Sequence, residues 1–148
     1  MSETKKSDIG TDITLVGDEH LRRYLETDGE VGYIWNGAPI LVLTTKGRKS
    51  GEDRTIPIIY RQVGDKIVLV GSKGGSPTHP VWYLNILENP NVKVQIKGEK
   101  FDAVARTTVS PEREELWAES LKGWPNYDVY QTRTTRQIPV VVLDRVKR

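Results

Sequence analysis

The chain has 148 residues, with 22 Lys and Arg against 20 Asp and Glu, so its formal net charge is +2. This length is typical of one domain with a substantial core, and so small a charge excess argues against a general nucleic-acid binder. The chain has no cysteine and only two histidines, which excludes disulfides, thiolate zinc sites and a cysteine nucleophile. No tight carboxylate cluster suggests a metal site, so we expect any chemistry to be carried by a bound organic cofactor.

The opening segment is polar and charged, so we expect disorder over residues 1–17 and a single folded domain over residues 18–148. The longest apolar runs are only a few residues long, which excludes a membrane-spanning helix, and no signal-peptide pattern is present. These features predict a cytoplasmic protein. Asp18 is placed to cap a short helix that includes Leu25. The apolar side of this helix suits either core packing or peripheral contact with a membrane, so membrane contact stays open.

Strands are predicted next, over residues 39–45, 54–60 and 66–72, because each is an apolar or β-branched run bounded by turn residues. We expect these strands to form an antiparallel meander. Pro57 lies inside the second run and cannot donate a ladder hydrogen bond, so this strand is expected at a sheet edge or a bulge.

The second half of the chain mixes helices and strands. A helix is predicted to begin at Pro80 and to stop before Pro90, because proline suits the first turn and disfavours a helix just before it. A hairpin is predicted over residues 92–107, where apolar and polar side chains alternate in the first strand. A further helix follows over residues 112–122, and the last strand, residues 138–144, is almost entirely apolar and so is expected at the centre of its sheet.

This order of elements has strands with inserted helices and no βαβ alternation, which argues against a dinucleotide-binding α/β fold. The predicted class is mainly β with inserted helices (α+β), arranged as a small antiparallel barrel. A barrel of this kind closes its edges and can hold a flat ligand in a surface cleft.

Two glycine-containing basic loops follow predicted strands. We call residues 44–51 the basic loop; they contain three cations and two glycines, and Arg54 comes shortly after them. Residues 72–75 form the second loop and contain Lys73. Glycine allows backbone N–H groups to turn toward an anion, and Lys and Arg supply the opposite charge. The pair favours one site for a phosphate-bearing small molecule, although the basic loop alone also suits a solvated hairpin turn.

Five segments occur in an order and spacing that point to a known family. They are residues 44–51 with Arg54, residues 71–75, residues 79–85, Asn89 with Pro90, and residues 127–143 with Tyr127, Tyr130, Arg133 and Thr135. The chain resembles the deazaflavin-dependent nitroreductase family, a branch of the split β-barrel flavin-binding oxidoreductases, over residues 20–145. The resemblance implies a split antiparallel barrel similar to the FMN-binding split barrel.

The resemblance also implies a cofactor and a reaction. The cofactor would be coenzyme F-420, a 5-deazaflavin with a phosphate and a polyglutamate tail. The reaction would be hydride transfer from the reduced coenzyme to a quinone, an activated enone or a nitroaromatic compound. Alternatives are an FMN oxidoreductase on the same barrel and a carrier that binds deazaflavin without turnover. The sequence leaves the oligomeric state open.

The candidate cofactor residues are Lys46, Arg48, Lys49, Ser50, Arg54, Ser72, Lys73, Gly74, Gly75, Trp82 and Asn85. The candidate catalytic residues are Tyr60, Ser72, Tyr127 and Tyr130. The cations suit an anionic tail, and a tyrosine hydroxyl would stabilise charge that develops on the acceptor oxygen. Other interpretations stay open: Trp82 as core, Asn85 as a cap for a neighbouring loop, and the tyrosines as hydrophobic packing.

Overall fold

The computed structural model describes residues 17–146. The helices are α1 (Gly17–Thr27), α2 (Val81–Glu88), α3 (Glu112–Gly123) and α4 (Asn126–Thr132). The strands are β1 (Ile34–Trp35), β2 (Ala38–Lys46), β3 (Asp53–Ile59), β4 (Arg61–Val63), β5 (Lys66–Val70), β6 (Asn91–Ile96), β7 (Glu99–Thr107) and β8 (Val140–Arg145). The expected disorder over residues 1–17 lies outside the described residues, except that Gly17 begins α1.

The strands form one antiparallel sheet in the order β1-β2-β6-β7-β8-β5-β4, and β3 pairs with β2. The sheet curls into a half-barrel with helices packed on it, which agrees with the predicted class. The β6–β7 hairpin and the central position of β8 are confirmed, and Pro57 lies on β3, whose ladder is made with β2 alone among the described strands.

The predicted meander is wrong in one respect. The second strand ends at Ile59, and a separate short strand, β4, pairs with β5. The other neighbour of β5 is β8, so β3 and β5 are not partners. The reason is that β8 is apolar on both faces, and burying both faces requires a central place between β5 and β7.

Alternation along β2 divides the core between two faces of the sheet. Leu41 and Leu43 point into the main cluster, where they meet Trp82 of α2. Ile40 and Val42 point the other way and pack against Tyr24 of α1. A nine-residue strand thus places α1 and α2 on opposite sides of the sheet.

Helices α3 and α4 cover another part of the sheet. Leu116 of α3 packs against Val140 and Val142 of β8, and Tyr127 of α4 packs against Ile138 just before that strand. The aromatic segment that follows α3 is helical from Asn126 to Thr132. Within residues 17–146, no helix has both the length and the apolar character needed to cross a membrane.

Candidate active site

A groove of about 500 Å³ lies where β3, α2 and α4 meet. Its apolar lining includes Pro57 and Ile58 of β3 and Trp82 of α2. Trp124 and Tyr130 add aromatic surface from the start and middle of the α4 region. This combination of flat apolar walls and few polar groups is typical of sites that bind planar organic ligands.

The polar part of the groove is built by a tight turn, residues 72–76, which we call the 72–76 turn. Ser72, Lys73 and Gly74 line the groove, and Gly75 is buried beside α4. The Nζ atom of Lys73 donates to Oγ1 of Thr78 at 3.2 Å. Among the described residues, the hydroxyl of Ser72 has no hydrogen-bond partner, so it is available to a ligand.

The backbone of the 72–76 turn is left-handed over consecutive residues, with φ of 47° at Lys73, 63° at Gly74 and 86° at Gly75. A Cβ atom at Gly75 would lie only 2.6 Å from the carbonyl oxygen of Tyr130. The turn and α4 are therefore in direct backbone contact, and glycine at position 75 makes that contact possible.

The two predicted tyrosines of α4 both line the groove. Tyr127 is buried, and burial raises the pKa of its hydroxyl, with the neighbouring Tyr130 adding to the effect. The rings of Tyr127 and Tyr130 meet edge to face at 6.2 Å. Nε1 of Trp124 donates to the hydroxyl oxygen of Tyr130 at 3.3 Å. Because indole N–H is only a donor, Tyr130 must accept this bond, and its own proton is free to point elsewhere.

Tyr60 is the one catalytic candidate that is not among the residues lining the groove. It joins β3 to β4 and does not line the groove, and its hydroxyl is 2.8 Å from the hydroxyl of Tyr33. Burial, followed by the hydrogen bond to Tyr33, raises the pKa of Tyr60. The structure thus gives the Tyr60 hydroxyl a partner within the protein, while its ring shares a small cavity with Trp124 and Tyr127 beside the groove.

The cations of the basic loop differ in their environment. Nζ of Lys46 is 2.8 Å from Oδ1 of Asp53, so this charge is already paired. Arg48, Lys49 and Arg54 are exposed, and none has a carboxylate partner within residues 17–146. The hydroxyl of Ser50 accepts from the backbone N–H of Glu52 at 3.1 Å and helps to shape the turn.

Asn85 supports the basic loop from α2. Its side chain is buried, Oδ1 accepts from the backbone N–H of Arg48 at 3.1 Å, and Nδ2 donates to Oγ1 of Thr45 at 3.0 Å. The interpretation of Asn85 as a cap for a neighbouring loop is therefore confirmed. Trp82, three residues earlier on α2, lines the groove. One short helix thus orients both the groove and the basic loop.

Strand β3 connects the groove to the cations. Arg54, Ile56 and Ile58 share one face of the strand, because alternate residues do. Ile56 and Ile58 pack against the cluster that contains Trp82, so Arg54 is directed to the same side. From Arg54 to Ile58 the strand rises ~13 Å. An elongated ligand can therefore have its ring in the groove and an anionic end among the exposed cations.

The structure also brings residues to the site that the sequence patterns did not single out. His20 and Trp35 line the groove, and the Trp35 and Trp124 rings lie 5.8 Å apart. Arg136 contacts the 72–76 turn from behind. The aromatic content of the segment around Trp124 could have identified this residue as part of the site. No pattern in the sequence distinguishes Arg136 from the other arginines.

Comparison with known proteins gives a family match over nearly all of the described residues. The family model described as "F420H(2)-dependent quinone reductase" matches residues 17–145. An F420H(2)-dependent quinone reductase of Mycobacterium tuberculosis (strain H37Rv) is 39% identical over 126 residues, which cover 82% of this chain and 85% of the relative.

Two solved structures are similar over most of their length. The F420-H2 dependent reductase FDR-A is 41% identical, with a TM-score of 0.67 over 72% of this chain and 94% of that chain. A structure described as a domain-swapped dimer is 38% identical, with a TM-score of 0.69 over 85% of this chain and 95% of that chain.

The curled sheet, together with the similarity to an F420-H2 dependent reductase, places the chain among the split-barrel oxidoreductases. Within that class, the chain belongs to the F420H(2)-dependent quinone reductase family. It is therefore a deazaflavin-dependent reductase, and its cofactor is coenzyme F-420. The predicted family, fold, enzyme class and cofactor are confirmed. The family match favours this assignment over the two alternatives, an FMN oxidoreductase and a carrier that binds deazaflavin without turnover.

The described residues fit this cofactor. The apolar and aromatic lining of the groove matches a flat deazaflavin ring, and the tail needs several cations that are not already neutralised. Arg48, Lys49 and Arg54 meet that need, since they have no acidic partner in the described part of the chain.

Proposed function

We propose that the groove binds the ring of reduced coenzyme F-420 together with a quinone, and that the anionic tail follows β3 to the basic loop. The observation that carries this proposal is the shared face of β3, which joins the aromatic groove to Arg54. The resulting enzyme is a quinone reductase that works by hydride transfer.

Tail binding would rest on the cations that lack partners. Arg48, Lys49 and Arg54 would bind the phosphate and carboxylates, with guanidinium groups suited to two-point contacts. Lys46 would contribute less, because Asp53 already neutralises it. The backbone N–H of Arg48 is held by Asn85, so the loop is oriented before the ligand arrives.

Ring binding would involve the 72–76 turn and α2. Trp82 would provide a flat wall, and Ser72, Lys73 and the glycine backbone would meet the polar edge of the ring. The hydroxyl of Ser72 and the ammonium of Lys73 are hydrogen-bond donors, which suits the carbonyl groups of a deazaflavin. Gly74 and Gly75 allow close approach of the backbone.

When bound, the reduced deazaflavin supplies a hydride from its C5 carbon. The protein contributes orientation, because the walls from β3 and α4 hold the acceptor flat within the groove. The same apolar walls exclude water, which strengthens electrostatic interactions inside the site. A quinone that takes up one hydride and one proton becomes a hydroquinone, so the protein must also deliver a proton.

The tyrosines of α4 are the proposed donors to the acceptor oxygen, and Tyr130 or solvent is the proposed source of the proton. Burial raises the pKa of Tyr127, so this hydroxyl keeps its proton and would stabilise, as a hydrogen-bond donor, an oxygen that gains negative charge. Tyr130 accepts from Trp124, which leaves its proton available as a donor. Solvent at the groove mouth then restores the proton. Ser72 is a further donor at the other side of the groove.

A titration with coenzyme F-420, with FMN in a parallel run, tests the binding proposal. Tight binding of the deazaflavin and weak binding of FMN is the expected result. The reduced coenzyme would then be offered quinones, enones and nitroaromatic compounds under equal conditions. Faster turnover of quinones would support the acceptor assignment, and turnover of only the other acceptors would overturn it.

A further inference from the structure

Arg136 makes an unusual set of contacts behind the 72–76 turn. Its Nη2 donates to the carbonyl oxygen of Ser72 at 2.8 Å, and its Nε donates to the carbonyl oxygen of Ser76 at 2.9 Å. Its Nη1 donates to the carbonyl oxygen of Gly71 at 3.2 Å and lies 3.1 Å from Nδ1 of His79. One guanidinium group therefore holds the turn at its beginning and its end.

The charge of Arg136 is not balanced by a carboxylate among the residues that the structure describes. Its side chain is half-buried, and burial lowers the pKa of the guanidinium from its ordinary value without removing the charge at neutral pH. Arginine has no acceptor atom, so Nδ1 of His79 must accept the hydrogen bond. His79 is therefore held in the neutral form that carries its proton on Nε2.

The position of Arg136 is itself fixed by α4. Nε2 of Gln131 donates to the carbonyl oxygen of Arg136 at 2.8 Å, and Oε1 of Gln131 accepts from the backbone N–H of Ile138 at 3.0 Å. The helix that carries Tyr127 and Tyr130 is thus tied through Arg136 to the turn that carries Ser72 and Lys73.

The turn needs such support, because its left-handed backbone is costly for Lys73. A non-glycine residue with φ of 47° is unfavourable in isolation and persists where surrounding contacts impose it. Arg136 does not line the groove, whereas Ser72, Lys73 and Gly74 do. Arg136 holds carbonyl oxygens on the far side of the turn. The N–H groups of Ser72 and Lys73, which share peptide units with two of these carbonyls, therefore point away from Arg136.

We propose that Arg136 is a positioning residue for cofactor binding, which acts by fixing Ser72 and Lys73 in the geometry that the ring requires. This inference rests on the proposed function of the groove. In the protein without cofactor, the conformation of the turn and the pKa of His79 are also expected to depend on Arg136.

The test compares Arg136→Gln, Arg136→Lys and the matched control Arg145→Gln. Arg145 lies at the end of β8, where it pairs with Glu99, so its replacement removes the same charge far from the turn. Two measurements are made on each variant. The first is the pKa of His79 by NMR in the cofactor-free protein, which is readily assigned because only two histidines are present. The second is the Kd for oxidised coenzyme F-420.

The pKa of His79 lies below its ordinary value, first because of burial and second because of the charge of Arg136. The ring of Tyr83 from α2 also packs against His79, with centroids 4.9 Å apart, but it carries no charge at neutral pH. Arg136→Gln is therefore expected to raise the pKa of His79, while Arg136→Lys keeps the charge and leaves it lowered. Arg145→Gln is expected to leave it unchanged.

For cofactor binding, Arg136→Gln is expected to raise the Kd about tenfold or more, since a charged donor with several acceptors is lost. Arg136→Lys is expected to fall between wild type and Arg136→Gln, because an ammonium group keeps the charge but not the planar set of donors. If Arg136→Gln does not fold, the ordering of wild type and Arg136→Lys decides the question.

Wild-type affinity in Arg136→Gln or in Arg136→Lys would overturn the inference, and so would a loss no larger than that of Arg145→Gln. A wild-type protein that fails to bind coenzyme F-420 would instead refute the proposed function. In that case a raised His79 pKa in Arg136→Gln would still show that the charge of Arg136 lies beside His79 as in the structure, so the two failures are distinguishable.

Discussion

Replacing Gly75 with alanine would place a Cβ atom 2.6 Å from the carbonyl oxygen of Tyr130 and 2.9 Å from Cβ of Arg133. Both neighbours belong to α4 or its C-terminal cap, and one of the contacts is with backbone, so the turn and the helix must separate. The substitution therefore perturbs the contact that joins the two parts of the proposed site.

The expected cost has two contributions. Alanine at φ of 86° costs roughly 1 kcal/mol because its Cβ is unfavourable in a left-handed conformation. Forcing an extra methyl group into a close contact adds about 1–3 kcal/mol. The free energy of unfolding should therefore decrease by about 2–4 kcal/mol, which corresponds to a decrease in Tm of roughly 4–16 °C for a domain of this size.

Gly74 provides a matched control, because it is the preceding residue and has φ of 63°, yet a Cβ atom there would meet nothing within 4 Å. Gly74→Ala should lose only the conformational contribution, about 1 kcal/mol. Urea unfolding of both variants isolates the steric contribution as their difference. Titration with coenzyme F-420 should show weaker binding for Gly75→Ala than for Gly74→Ala. Equal stability of the two variants would refute the proposed contact between the turn and α4.

Other predictions concern the cations, the tyrosines and acid stability. Arg54→Ala and Lys49→Ala should each raise the Kd for coenzyme F-420 about tenfold, and Lys46→Ala should raise it less because Asp53 pairs with Lys46; equal losses in fluorescence titrations would contradict this ranking. Tyr130→Phe should lower kcat about tenfold or more with little change in Kd, and Trp124→Phe should lower kcat less; unchanged steady-state turnover in Tyr130→Phe would reduce Tyr130 to a packing role. Hydrogen bonds from Arg106 and then from Lys66 lower the pKa of Glu112 from 4.5 to about 2, so their stabilisation is present above pH 4.5 and is lost as pH falls toward 2. Glu112→Gln should flatten the decrease in Tm over that range, and an unchanged pH profile would show that the network does not stabilise the fold.

Much of the architecture could be predicted from local patterns. Alternation in β6, the proline on β3 and the apolar run of β8 each depend on a few neighbouring residues, and each prediction is confirmed. The resemblance to deazaflavin-dependent enzymes rested on an ordered series of short segments, and the family match confirms it. Such features can be predicted from the sequence because they depend on residues that are close together along the chain.

Other features depend on which elements come together in space. The pairing of β5 with β8 joins residues about seventy positions apart and displaces the expected meander. Tyr60 resembled a substrate-side tyrosine in sequence, but the fold places its hydroxyl against Tyr33. Oδ1 of Asn85 likewise accepts a hydrogen bond from the backbone N–H of Arg48, which lies in the basic loop.

The sequence by itself thus determined the family, the cofactor class and the strands that carry the two glycine-containing loops. Only the tertiary structure decided which cations lack acidic partners, which tyrosines line the groove, and that Arg136 holds the turn containing Ser72. The physical reason is that composition and periodicity report the preferences of single segments. The availability of a charge or a hydroxyl depends on the hydrogen-bond partners that distant segments bring to it after folding.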